Sequence, residues 1–122
     1  MVEIIPLKKI GEDERGSTHI FETDRSGEFI FSFRHAGSLS GRHYHKGASP
    51  KKNPEKIILV SGEGTLNWFH VGGEEKGAIK IIGPTEIHIY PNVWHELVAD
   101  TDIIVFEMNA LVDGQGDTFR LD

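Results

Sequence analysis

Two histidines one residue apart, in Gly41-Arg42-His43-Tyr44-His45, are the first feature of this chain able to support chemistry. Alternate residues of a strand share a face, so an extended backbone here points both imidazoles the same way. A carboxylate, Glu55, opens the apolar run Ile57-Ile58-Leu59-Val60, and a third histidine, His95, follows Tyr90-Pro91-Asn92-Val93-Trp94. Imidazole nitrogens joined by a carboxylate suit one divalent first-row metal ion (Zn, Fe, Mn, Ni or Co) and leave positions open for water or substrate. A histidine pair alone is weak evidence, because most such pairs are solvated or satisfied by hydrogen bonds. Four ionisable groups turned into a closed interior would cost several kcal/mol to desolvate without a partner, and a cation is such a partner. His43, His45, Glu55 and His95 are therefore the candidate metal ligands.

Other residue types near these positions suggest a substrate. Arg42 and Lys46, with Lys51 and Lys52 in the following loop, could attract a diphosphate, although exposed lysines more often only solubilise. Trp94 beside His95 either offers a stacking platform or packs beneath the loop that carries the ligand. Arg42, Lys46 and Trp94 are the candidate substrate-binding residues. For a proton-transferring group the candidates are Tyr90, His88 and His35. Glu86, His88 and Tyr90 share one strand face and Ile87 and Ile89 the other, so a core on the isoleucine side would send His88 outward. His35 ends an apolar strand.

These groups need a frame to position them. The 122 residues are the size of one domain, and a chain this long buries enough surface to fold without a staple. Short apolar stretches carry the period-2 pattern of strands. Phe29, Phe31 and Phe33 fall on one face, Lys56–Val60 is apolar on both faces as a central strand would be, and in Thr65–His70 Trp68 and Phe69 face opposite ways. Ala78–Ile82, Glu86–Tyr90, His95–Ala99 and Ile103–Met108 complete a set of about eight strands, parted by Gly, Pro, Asn and Asp. No longer segment holds a helical period. The expected fold class is all-β, a sandwich or barrel.

Composition removes several alternatives. With no cysteine there is no disulfide framework, zinc finger, thiol catalysis or iron–sulfur cluster. A net charge of −6 argues against broad nucleic-acid binding, which depends on neutralising phosphates. No apolar run is long enough to cross a membrane, and the first residues lack the basic start of a signal peptide, so a cytoplasmic location is expected. The Gly114–Asp122 tail reads as polar and loosely held, with Phe119 and Leu121 free to dock on a partner subunit.

The spacing resembles the cupin superfamily, whose first motif is G(X)5HXH(X)3–4E(X)6G. Gly37, His43, His45, Glu55 and Gly62 match it, except that nine residues rather than three or four separate His45 from Glu55. The excess lies in the Gly/Pro-rich stretch 46–54. Around His95 the second motif G(X)5PXG(X)2H(X)3N is matched less well: Pro91 is displaced by one place, Asn92 stands for its glycine and Ala99 for its asparagine. Asn tolerates positive φ, so that turn can survive the change.

The resemblance covers roughly residues 25–110 and implies one cupin domain over 1–122, a double-stranded β-helix or jelly-roll barrel. Within cupins, Asp13-Glu14-Arg15-Gly16-Ser17 is similar to the opening of deoxysugar epimerase-like members. The stretch from Phe31 through Trp68 resembles the C-terminal cupin domain of capsular-polysaccharide nucleotide-sugar enzymes. This implies a metal-dependent epimerase or isomerase acting on a sugar or nucleotide-linked keto-sugar. A metal-dependent dioxygenase or a non-catalytic small-molecule-binding cupin would use the same ligands. Exposed strand edges and aromatics such as Phe29 and Trp68 lead us to expect a homodimer.

Overall fold

The computed structural model describes residues 1–121. Among them, eleven strands carry nearly all the regular structure. The first six are β1 (Val2–Pro6), β2 (Lys8–Asp13), β3 (Gly16–Ile20), β4 (Ile30–Arg34), β5 (Leu39–His43) and β6 (Glu55–Ser61). The others are β7 (Glu63–His70), β8 (Lys76–Ile82), β9 (Thr85–Ile89), β10 (Val93–Ala99) and β11 (Ile103–Glu107), before a single 3-10 turn at Leu111–Gly114. No helix is long and apolar enough to cross a membrane.

Two antiparallel sheets form the body, one of five strands in the order β1-β9-β6-β11-β4 and one of four in the order β5-β10-β7-β8. The period-2 reading explains how they pack. Ile57 and Leu59 of β6 and Ile87 and Ile89 of β9 project into the core, where Leu66, Ile81, Val93, Leu97, Ile103 and Val105 meet them. Lys56–Val60 is apolar on both faces because β6 is the central strand of its sheet. Ile58, on the opposite face from Leu59, is only 2% exposed and stands beside Phe106 in the ladder. The turn between β6 and β7 rests on Gly62 at φ +90°, where a Cβ would run into the Asp102 carbonyl.

Two regions differ from the sequence expectation. The N-terminal residues supply three strands beyond those expected. β1 adds to the edge of the five-stranded sheet, whereas β2 and β3 form a separate hairpin with every β2 residue exposed. The tail is also not loose. Phe119 forms a β-bridge with Tyr44 and stacks on its ring, and Asp117 is buried. Phe119 thus docks within its own chain rather than on a partner. Asp122, the last residue of the expected loose segment, lies outside the described residues.

Candidate functional site

The site is built where β5 meets β10. His43 is the register partner of His95, and the ladder then jumps so that Glu96 faces Gly41. Arg42 is the extra residue of this bulge, at φ +62° beside Gly41 at φ +85°. A Cβ on Gly41 would lie 2.9 Å from the His95 carbonyl oxygen, so glycine is what allows β5 to approach so closely. His45 falls just beyond the strand. The backbone N–H of Asn92 donates to the His45 carbonyl at 2.7 Å, tying the turn before His95 to the His43–His45 pair. Asn92 itself has φ +63°, as its glycine-like place in the motif requires.

One nitrogen from each of His43, His45 and His95 lies within 4.8 Å of the others. The Nδ1–H of His45 donates to the Asp117 carbonyl at 2.7 Å, and that of His95 donates to the Val93 carbonyl at 3.0 Å. A carbonyl can only accept, so both rings carry a proton on Nδ1 and leave Nε2 as the atom a metal could take. Metal-binding histidines are oriented by the same kind of contact. Nδ1 of His43 and Nε2 of His45 are buried without a hydrogen-bond partner.

Glu55, 4% exposed, stands over this cluster with Oε2 at 3.0 Å from His45 Nε2, out of line for a hydrogen bond. The Lys52 ammonium, also buried, is 3.3 Å from the same oxygen. Burial alone would raise the Glu55 carboxyl; the His45 contact and the charges of His95 and Lys52 outweigh it and hold the group well below the carboxylate range. Burial, reinforced by the neighbouring His95 and His45, pushes His43 down to about 3. Burial also lowers His95, against the pull of Glu55 and the Val93 carbonyl. Imidazoles beside a carboxylate, with buried ring nitrogens unsatisfied, form a donor set that a divalent cation fits.

Two cavities meet here. One, of about 200 Å³, runs between the sheets past Ser32, Arg34, Ser40 and Glu55 to His95. The other, of about 420 Å³, is roofed by the C-terminal segment and lined by His45, Lys52 and Asn109. His43 and Glu107 line both.

No protein-family model and no curated protein matches the chain. Solved structures do. A QdtA 3,4-ketoisomerase variant from Thermoanaerobacterium thermosaccharolyticum, in complex with TDP, matches at TM-score 0.74 and 20% identity, over 98% of this chain and 87% of that one. The dTDP-4-dehydrorhamnose 3,5-epimerase of Sulfolobus tokodaii matches at TM-score 0.66 and 21% identity, over 88% of this chain and 68% of its own. Capsular polysaccharide assembling protein CapF of Staphylococcus aureus matches at TM-score 0.61 and 27% identity, over 96% of this chain but only 34% of CapF. The chain has the cupin fold.

Of the four residues read as ligands from the sequence, the three histidines come together, while Glu55 stands outside that trio, beside His45 and paired to Lys52. The residues read as substrate contacts do not join them. Arg42 and Trp94 line a separate cleft with Phe69 and Leu121. Trp94 stacks on Phe69 with ring centroids 5.0 Å apart, and Arg42 approaches Glu96 at 3.3 Å. Lys46 lies over the Phe119 ring, 4.6 Å from its centroid. Of the loop lysines, Lys51 donates to the Ser26 carbonyl while Lys52 turns inward.

The expected proton-transfer candidates also lie elsewhere. With Ile87 and Ile89 in the core, His88 turns away to contact Glu86, while Tyr90, just past β9, packs against the core's edge and donates to Glu3. His35 is exposed at the end of β4, and none of the three lines either cavity. Two site residues, Glu107 and Asp117, were missed by sequence reasoning, and Lys52, read as a loop cation for a diphosphate, pairs with Glu55 instead. Lys52 carries a usable signal, its i, i+3 spacing to Glu55. Glu107 and Asp117 carry none, since one reads as a strand end and the other as part of a polar tail.

Proposed function

We propose that this cupin is a nucleotide-sugar isomerase or epimerase that moves a proton beside a sugar ketone, with one divalent first-row metal ion held by His43, His45 and His95. The observation that carries this reading is the trio of imidazole nitrogens within 4.8 Å, with a buried carboxylate beside His45 and two cavities that share His43. When bound, such an ion supplies Lewis acidity to a carbonyl oxygen. The chain's own residues do the rest. Asp117 and Val93 hold the tautomers of His45 and His95, and Glu55 places negative charge beside the cluster while Lys52 limits it. Ile57, Leu97 and Val105 give the smaller cavity an apolar wall for a sugar ring, and the Arg34 guanidinium at its lining is the group suited to a diphosphate.

The neighbours support a nucleotide sugar as the substrate class. One ketoisomerase structure holds TDP and another TDP-4-keto-6-deoxyglucose. We place the activity in the cytoplasm and in a homodimer. The dimer reading rests on Phe31 and Phe33, 55% and 70% exposed on the edge strand β4, where unpaired backbone and bare rings call for cover. Phe29 and Trp68, expected at such an interface, are instead partly buried, Phe29 edge-on to Phe106 and Trp68 against the core.

The test is incubation with TDP-4-keto-6-deoxyglucose in D2O, followed by NMR, with the metal content of the purified protein measured in parallel. Deuterium at a carbon next to the ketone supports the proposal. Oxygen consumption without exchange would favour a dioxygenase, and TDP binding with no turnover a binding module.

A further inference from the structure

The reaction proposed above requires a group that takes a proton from carbon and gives it back, and this inference rests on that reading. The imidazole lone pairs turned to the cluster are the ones a metal would occupy, so another base has to face the same space. β11 provides one. Its alternation puts Ile103 and Val105 in the core, and Glu107 continues that inward row. Its register partners are Ile57 on β6 and Ile30 on β4, so the carboxylate emerges from an apolar floor. Glu107 and His43 are the two residues common to both cavities.

We propose that Glu107 is the acid–base catalyst of this site, removing the proton next to the ketone and delivering it to the adjacent carbon. The hydrogen on the carbinol carbon leaves as a proton to the carboxylate, and the C–H electron pair becomes the double bond of an enediolate. The charge rests on the former carbonyl oxygen. Glu107 then returns its proton to the former carbonyl carbon, where the double-bond pair forms the new C–H bond. The neighbouring hydroxyl proton passes to the first oxygen, and the ketone has moved by one carbon. No oxidant or reductant enters.

The surroundings suit the role. Burial pushes the Glu107 carboxyl up and the negative charge of Glu55 adds to this, against weaker opposition from Lys52 and Arg34; among the described residues no hydrogen bond holds it down. Glu55, paired to Lys52 and His45, is moved the other way.

The experiment compares the native protein with Glu107→Gln on TDP-4-keto-6-deoxyglucose in D2O, and measures TDP affinity by calorimetry. We expect deuterium incorporation to fall by about 100- to 10,000-fold, the usual contribution of a positioned general base. TDP affinity and metal content should stay within about threefold. Glu107→Ala provides the second arm: formate added at molar concentration should restore its exchange at least tenfold, which a merely structural carboxylate would not allow. Exchange by Glu107→Gln within tenfold of native, or no rescue by formate, overturns the assignment of Glu107 alone. A native protein that exchanges nothing overturns the reading of the whole site, and this inference with it.

Discussion

Nε2 of His45 lies 3.0 Å from Oε2 of Glu55, while Nδ1–H of the same ring donates to the Asp117 carbonyl. An imidazole nitrogen and a buried carboxylate at that distance call for a positive charge between or beside them. Lys52, 3.3 Å from the same carboxylate oxygen, supplies part of it from within the chain. A metal ion at the three imidazoles would supply the remainder.

Metal should therefore act on stability as well as on activity. Zinc or manganese at about 100 times its dissociation constant is expected to stabilise the protein by about 2.7 kcal/mol, an increment that a chelator removes. Urea unfolding with and without the ion checks this. The double variant His43→Ala/His45→Ala should show no increment, and an unchanged response would mean the ion binds elsewhere.

Lys52→Met leaves Glu55 buried without its ammonium. The expected loss is about 3–5 kcal/mol, the usual result of breaking one side of a buried ion pair. Adding Glu55→Gln to this variant removes the stranded charge and should recover most of the loss. A double-mutant cycle from urea unfolding measures the coupling.

Asp117→Ala tests the strap that closes the larger cavity. Its carboxylate accepts the backbone N–H groups of Lys46, Gly47 and Ala48 at 2.8, 3.0 and 2.9 Å, and its carbonyl accepts the His45 proton. Losing bonds to a charged acceptor should cost about 2–3 kcal/mol. With the strap loosened, His45 loses its orienting contact, and metal affinity should fall by about 10-fold. Zinc titration monitored by calorimetry separates this from a purely global effect.

Acid should destabilise the metal-free protein earlier than carboxylate protonation would predict. His43 is held down to about 3 against an ordinary 6.5, and His95 is lowered as well. Below pH 6.5 the unfolded chain takes up protons that the folded chain refuses, so stability falls as pH drops toward 3. The slope is at most about 1.4 kcal/mol per pH unit for each proton. Glu107 works in the opposite sense, because its raised carboxyl favours the folded state as it protonates. Thermal melts between pH 7 and 5 should flatten in His43→Asn, and an unchanged slope would place the titration elsewhere.

What could be read from the sequence follows from where the physical signal resides. Ile87 and Ile89 alternate with polar residues, a period that specified a strand with one face in the core, and the unbroken apolar run around Ile57 and Leu59 marked a central strand. Asn92 announced its positive φ by standing in a glycine's place. The His43–His45 pair and His95 were visible because ligand chemistry restricts residue type. Periodicity grouped His88 and Tyr90 on one face but could not say which face the core takes. Glu107 hid at the end of an apolar strand, where a charge normally marks the exit to solvent. The anchoring by Asp117 was invisible because its partners are backbone amides, which any sequence supplies.

The hairpin of β2 and β3 pairs only with itself, and its β2 residues are all exposed. Two strands by themselves are marginal in water. The molecule thus carries two tiers of resistance to opening. Amide hydrogens of the hairpin should trade with solvent through local fraying, while those of Leu59 and Ile87 wait for the whole domain to come apart.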